Sequence, residues 1–460
     1  MAAASCFRVP LEAERLLSFL SRNAGVRFIR LQWLDYTNML RCRVVTRNYA
    51  EQLAEKPCMV ESNFLTLIEN EEYLWEHGYD PTEAVGQSPL IPDWDSLRLC
   101  PWAPGHASVQ CYFGKDDSRP EQQGHELHLV DQMCPRAALQ RAIIQAGDAG
   151  TFINIGFEIR FRVTQIGNEG SVDAIRDSSS AGFASSMNIL EKCMLTVMDE
   201  VVTCLDSTDI PILGYHAGSQ SDQYIITTEC MRPMTAADML VFTRQVIRNV
   251  CKSHSLVPTF DPHAPWANGV HINISVSDPD TLHAGLEESF LAGMLEHLRA
   301  MFAFSLPLPK SYGVVVASRR LCGQFEAWGS HNREVPIQKT GGNSWQLRCA
   351  DASANIYLML AAIIVSGASG LKEQKRLTVK DCQVDPETLS PEDRKQLGIT
   401  RELPSTLKKA HSSLRKDRVL NDSLGSVLVE KYLQVMTDSA TIAQGDEIND
   451  EHLDFLNIRL

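Results

Sequence analysis

Three stretches of the chain place acids, bases and hydrogen-bonding groups at every second residue. In FINIGFEIRFRV, Ile153, Ile155, Phe157, Ile159, Phe161 and Val163 are apolar, while Asn154, Glu158, Arg160 and Arg162 occupy the alternate positions. GVHINISVS sets His271, Asn273, Ser275 and Ser277 against Val270, Ile272, Ile274 and Val276. SWQLRCA sets Gln346 and Arg348 against Trp345, Leu347 and Cys349. A carboxylate and an imidazole sharing one cavity form a general acid/base pair, so Glu158 and His271 are the catalytic candidates. Guanidinium groups beside them clamp a carboxylate or phosphate through paired N–H donors, which makes Arg160 and Arg348 candidates for substrate binding.

Period two over such lengths predicts strands with one dry and one polar face. One strand of this kind reads equally well as having a solvated polar face. Three of them, each bounded by apolar helical stretches, predict a curved antiparallel sheet whose apolar face is covered by helices and whose polar face lines a cavity. The fold class is α+β. Upstream, residues 9–22 predict a short amphipathic helix, VRFIRLQWLD a strand and ASVQCYF another. Pro and Gly punctuate 80–106, and a polar stretch follows Phe113, so a domain boundary is expected near residue 114. PRAALQRAIIQAG predicts a helix from Pro135 to a stop at Gly147.

Composition narrows the function. A formal net charge of −14 repels phosphate backbones and anionic lipid, so neither nucleic acid nor membrane is an expected partner. The longest apolar run, Ile356 to Val365, is half of what a membrane span needs and predicts a buried helix. The start of the chain carries Glu12 and Glu14 and has no apolar run of signal-peptide length. The 13 cysteines are scattered without a CxxC pair, which suits a reducing cytoplasm better than a disulfide framework or zinc ribbon. Phosphate-loop, dinucleotide and serine-nucleophile motifs are absent.

Taken in order, these segments resemble the glutamine synthetase family of the bacterial-type class, over nearly the whole chain. LDYTNMLRCRVV looks like the family's first β-grasp strand and turn. CPRAALQRA, GFEIRFRV, ILGYHAGSQSDQYII, ANGVHINIS, the SY at 311–312, HNREVPI and RCADASANIYLMLAAII follow in family order and near family spacing, as do LTVKDC and LGITRELPSTLKKA. The resemblance implies an amino-terminal β-grasp domain, residues 1–114, and a glutamine synthetase-type catalytic domain, residues 115–460. It also implies ATP, two or three magnesium or manganese ions, and a double-ring homo-oligomer, a dodecamer.

Residue by residue, the resemblance carries over unevenly. The family's G-x-E-x-E strand is Gly156-Phe157-Glu158-Ile159-Arg160, so one metal glutamate is kept and one is an arginine. The H-H-E and Q-x-E segments are Tyr215-His216-Ala217 and Gln223-Tyr224-Ile225, with both glutamates replaced. The metal histidine is kept as His271; the nucleotide-contacting histidine is Asn273, and Ser275 keeps a residual nucleotide position. The phosphate-binding arginine of S-Y-K-R is Val314, and the flap reads VVASRRLCGQ without its glutamate. Asn332-Arg333 is kept, Gln338 replaces a later arginine, and the closing E-x-R is Gln346-Leu347-Arg348. The degenerate site is therefore Glu158, Arg160, Ala217, Ile225, His271 and Gln346.

Three acids neutralised and one reversed make this pocket five positive units richer than the family pattern. Closely spaced dications need nearby anions to offset their mutual repulsion, and each misplaced unit charge at about 4 Å costs roughly 4 kcal/mol per metal charge even at an effective dielectric near 20. The expectation is no metal, no predicted cofactor, and loss of ATP-dependent glutamine synthesis. Arg160, Arg333, Gln346 and Arg348 would instead hold an anionic, amino-acid-like small molecule on which Glu158 and His271 act, as in divergent fungal members that serve specialised metabolism. One alternative is a non-catalytic assembly protein like lengsin, in which pocket residues satisfy one another, for example as a Glu158–Arg348 pair. Another is an ATP-dependent glutamate–ammonia or glutamate–amine ligase with unusual ligands. A site of Glu158, His216 and His271 for one transition metal is a further possibility. If 213–218 is a regular strand, His216 points away from the side of Ala217, the family's ligand position, and reads as structural.

Overall fold

A computed structural model of the chain describes residues 13–66, 86–115, 130–148, 151–166, 172–174, 185, 190, 194–218, 222–260, 269–277, 285–317 and 322–445. Two compact units emerge. The first comprises Met1–Ala138 with Lys431–Glu447, and the second Leu139–Glu430 with Ile448–Leu460.

In the first unit, strands β1 (Phe28–Leu34), β2 (Leu40–Thr46), β3 (Cys58–Glu61), β4 (Gln87–Pro92), β5 (Arg98–Leu99) and β6 (His106–Phe113) form a sheet of order β2-β1-β6-β4-β3, with β5 on β6. This is the β-grasp-type sheet that the resemblance implied. The β1–β2 turn is built by Asp35. Its Oδ1 accepts from the backbone N–H groups of Thr37 and Met39, each at 2.9 Å, and its Oδ2 accepts from Arg41 Nε at 2.9 Å. Asn38 takes φ 66° there, the left-handed region that asparagine tolerates better than most residues. Ile29, Leu31 and Trp33 point into the core, where Trp33 meets Phe113 edge-on at 5.5 Å. The carboxy-terminal segment joins this core: Tyr432 stacks edge-on against Tyr36, ring centroids 5.9 Å apart. The helix expected at 9–22 is described as Ala13–Arg22; its first residues lie outside the described part.

The second unit contains β7 (Phe152–Ile166), β8 (Val172–Ala174), β9 (Ile212–Ala217), β10 (Gln223–Thr228), β11 (Leu256–Thr259), β12 (Val270–Ser277), β13 (Trp328–Ser330), β14 (Ile337–Gly341) and β15 (Ser344–Leu347). Their order is β13-β14-β15-β12-β7-β10-β9, with β8 and β11 also pairing with β7. Every pair is antiparallel except β13 with β14. The three patterned stretches are thus consecutive strands of one curled sheet. Ile155, Phe157, Ile159, Phe161 and Val163 are fully buried on one face. Helix Pro233–Ser253 packs on β7 and helix Leu286–Ser305 on β12.

The apolar run at 356–365 is the buried helix Ile356–Lys372, started by Asn355, whose side chain accepts from the N–H groups of Tyr357 and Leu358. It packs so closely on Leu286–Ser305 that a Cβ on Gly293 would stand 2.3 Å from the Ser366 carbonyl oxygen. Helix Pro135–Asp148 runs one residue past Gly147, where a stop was expected. Among the described residues no helix is long and apolar enough to cross a membrane, and the cysteines are free.

Candidate functional site

Because side chains alternate along a strand, Glu158 and Arg160 leave the same face of β7, one pleat apart. On the neighbouring β12, His271 lies directly opposite Glu158; on β15 beyond it, Gln346 lies opposite Asn273, and Gln338 of β14 lies opposite Gln346. The strand register thereby brings together polar groups more than a hundred residues apart in the chain. His271 Nδ1 stands 2.9 Å from Glu158 Oε2. Arg160 Nη2 donates to the same Oε2 at 3.0 Å and lies 3.2 Å from His271 Nδ1. Arg348 Nη1 donates to Gln346 Oε1 at 2.9 Å and comes within 3.5 Å of His271 Nδ1. Gln346 Nε2 donates to Asn273 Oδ1 at 3.0 Å, closing the network across three strands.

Electrostatics assign the protons. Burial pushes Glu158 up, but the hydrogen bond and charge of His271 and then Arg160 outweigh it and hold the carboxyl well below its usual range. His271 is driven down, first by burial and next by Arg160, with Arg348 adding and Glu158 opposing. At neutral pH the pair is therefore a carboxylate and a neutral imidazole. A carboxylate oxygen 2.9 Å from a bare lone pair would be repelled, so Nδ1 carries the proton and donates it to Glu158. That nitrogen cannot also accept from Arg160 and Arg348, so both guanidiniums stand there as cations that make an imidazolium costly. Burial and then Arg160 press Arg348 down to about 10, which leaves it charged at pH 7. The buried Nε atoms of Arg160 and Arg348 find no hydrogen-bond acceptor among the described residues.

The other sequence candidates fall in different places. Arg333 is exposed, and its charge reaches Arg348. Its neighbour Asn332 is buried and structural, donating to the carbonyls of Cys382 and Val384 at 2.7 and 3.0 Å while accepting from Glu334 N–H. Ser275 is half-buried on the His271 face of β12, opposite Ser344 and Asn154. Arg162 shares the Glu158 face but is neutralised by Asp222, its Nε 2.9 Å from Oδ2. The Glu158–Arg348 pair suggested by the sequence does not form a hydrogen bond; Arg160 takes the carboxylate because it is the nearer neighbour on the same strand. The side chain of Val314 and residues 318–321 of the flap lie outside the described part.

The β9–β10 register corrects one reading. His216 lies opposite Ile225, and Ile225 opposite Arg160, so His216 is on the polar face. Ala217 lies opposite Tyr224, whose ring packs against Phe161 on the helix-covered face. The parity is pinned by Tyr215, whose hydroxyl donates to Asp199 on the covering helix Leu195–Asp206. Sequence alternation alone could not supply it, because a shift of register by one residue exchanges the two faces. No group of three or more His, Cys, Asp or Glu side chains able to hold a metal ion occurs among the described residues. The donor set does not suit a pair of divalent cations. Arg160 stands where a cation would meet Glu158 and His271, and Ile225 and Gln346 bring no charge.

Residues 132–446 match the glutamine synthetase catalytic domain. The chain belongs to the glutamine synthetase family. Within that family it is 31% identical over 442 residues to Protein fluG of Emericella nidulans, a match covering 94% of this chain and 49% of fluG. The chain thus spans about half the length of that relative. It is 27% identical over 462 residues to the gamma-glutamylpolyamine synthetase GlnA3 of Streptomyces coelicolor, covering 95% of each. The solved structure of a GmaS/ADP complex superposes with a TM-score of 0.77 over 96% of this chain and 99% of that one, at 20% identity, which establishes a shared glutamine synthetase fold.

Proposed function

We propose that this glutamine synthetase-family chain binds an anionic, amino-acid-like small molecule on the polar face of β7, β12 and β15 and acts on it without ATP- and metal-dependent glutamine synthesis. The observation that carries this reading is the charge balance of the pocket. Arg160 pairs with the carboxylate of Glu158, Arg348 stands close by with the charge of Arg333 reaching it, and the buried Nε donors of Arg160 and Arg348 lack acceptors among the described residues. A carboxylate or phosphate ligand offsets the excess charge.

In this reading Arg160, Arg333, Gln346 and Arg348 orient the ligand, and the Glu158–His271 pair moves a proton once the ligand's charge has offset the arginines that keep Glu158 ionised and His271 neutral. Ser275 marks the remaining nucleotide position. The reading includes a β-grasp domain over 1–114, a catalytic domain over 115–460, a cytoplasmic double-ring assembly, and a place in specialised metabolism. Thermal unfolding of the purified protein against a panel of small carboxylates, amino acids and phosphates, with chelator present, tests it. The expected result is a concentration-dependent rise in Tm for at least one anion, abolished in Arg348→Gln. Silence across the panel counts against it.

A second reading, a ligase, is favoured by the relatives whose names state a synthetase activity. Formation of γ-glutamyl hydroxamate with magnesium or manganese decides between the two. A third, a lengsin-like assembly without catalysis, draws on the way Glu158, Arg160 and His271 already satisfy one another. It requires that Glu158→Ala change stability but no cellular metabolite.

A further inference from the structure

A carboxylate and an imidazole facing each other across two strands form half of a cation site, and here the other half is already filled. Glu158 Oε2 and His271 Nδ1 are 2.9 Å apart, and Arg160 Nη2 lies 3.0 Å from the first and 3.2 Å from the second. Arg160 is one pleat from Glu158, so no backbone adjustment is needed to place its guanidinium there. Ile225, the residue opposite it on β10, brings no competing charge. On the far side Arg348 is anchored by Gln346, so a second fixed cation flanks the same imidazole.

We propose that Arg160 is a covalently tethered replacement for a metal cation in this site. It keeps divalent ions out of the Glu158–His271 pair and presents a permanent positive charge to an anionic ligand. This deepens the function proposed above and rests on it for the ligand, although the exclusion of metal stands on the geometry alone. A guanidinium delivers one charge through directed N–H donors, whereas a dication gathers oxygen ligands from several directions. The tethered cation therefore selects a planar or tetrahedral oxyanion that approaches from the open side of Arg160, and it works equally well in the presence of chelator.

The experiment follows free Mn2+ by electron paramagnetic resonance during titration into wild type, Arg160→Ala and Arg160→Glu, each first shown to be folded by circular dichroism and thermal unfolding. Wild type is expected to leave the free Mn2+ signal unchanged to millimolar concentration. Arg160→Glu, which supplies a second carboxylate on the same face, is expected to bind Mn2+ at least tenfold more tightly, and the gain disappears when His271→Ala is added. Arg160→Ala, with the pair merely vacated, shows a smaller gain in the same direction and keeps the test decisive should Arg160→Glu not fold. Mn2+ binding by wild type that is lost in Glu158→Gln overturns the proposal, and so does a folded Arg160→Glu and Arg160→Ala pair with no gain. The two readings fail separately. A silent anion panel with metal gained in Arg160→Glu removes the proposed function and the ligand part of this inference, and leaves the exclusion of metal standing. A chelator-resistant anion signal with no metal gained does the reverse.

Discussion

Ile225 lies directly opposite Arg160 across the β10–β7 pair, and it is almost fully buried. An isoleucine beside a guanidinium leaves that charge to find its counter-ion along its own strand, at Glu158, instead of across the sheet. Introducing a carboxylate at this position gives Arg160 a second choice. Ile225→Glu is expected to destabilise the protein, and to destabilise it more when Arg160 is alanine. The coupling, read from a double-mutant cycle of urea unfolding, should be about 1–2 kcal/mol.

Asp222 is buried and pairs with Arg162. Asp222→Asn removes the charge that neutralises Arg162 and leaves a half-buried guanidinium uncompensated. The expected loss of stability is about 2 kcal/mol by denaturant unfolding. Added sodium chloride should reduce that loss by screening the released charge.

Glu326 gives the protein a pH dependence separate from the site. Burial raises its carboxyl from 4.5 to about 7, and Arg401 and Arg299 only partly oppose the shift. Below about pH 4.5 it is protonated in both folded and unfolded chains and costs nothing. Between 4.5 and 7 the folded chain keeps a proton that the unfolded chain releases, so stability falls as pH rises, and the full cost is present above 7. That cost is on the order of 3 kcal/mol. Glu326→Gln should flatten the slope of unfolding free energy between pH 5 and pH 8. An unchanged slope would show that the carboxyl is not held up by burial.

Gly293 sits where two buried helices touch. A methyl group there collides with the Ser366 carbonyl and with the backbone of Gly370. Gly293→Ala should therefore cost at least about 2 kcal/mol, with the loss appearing in thermal unfolding. A neutral result would mean that the helices separate without penalty.

Much of the site was legible because strands write their geometry in plain alternation. The apolar row from Ile153 to Val163 and its polar counterpart fixed which side chains share a face, and the matching row at Val270–Ser277 paired with it as neighbours do. Motif order supplied the family. Partners within the face were less accessible. Whether Glu158 meets Arg160 or Arg348 depends on how far each side chain reaches from its own strand, and alternation is silent on that. The side of the sheet taken by His216 depended on a connection whose length does not reveal its register. Asp222 carried no signal of its own, since a lone aspartate in a turn is ordinary until an arginine is seen beside it.

The contact between Tyr36 and Tyr432 has a consequence for how the polypeptide is made. Met1–Ala138 is translated before the rest of its unit, Lys431–Glu447, with residues 139–430 made in between. Native contacts spanning such a separation form slowly and late. Until that piece arrives, the early sheet waits with part of its core uncovered, open to chaperones and to unwanted association. Completion of the first unit therefore waits until residue 431 and beyond have been made, and a stop codon shortly before residue 431 would harm residues made long before it.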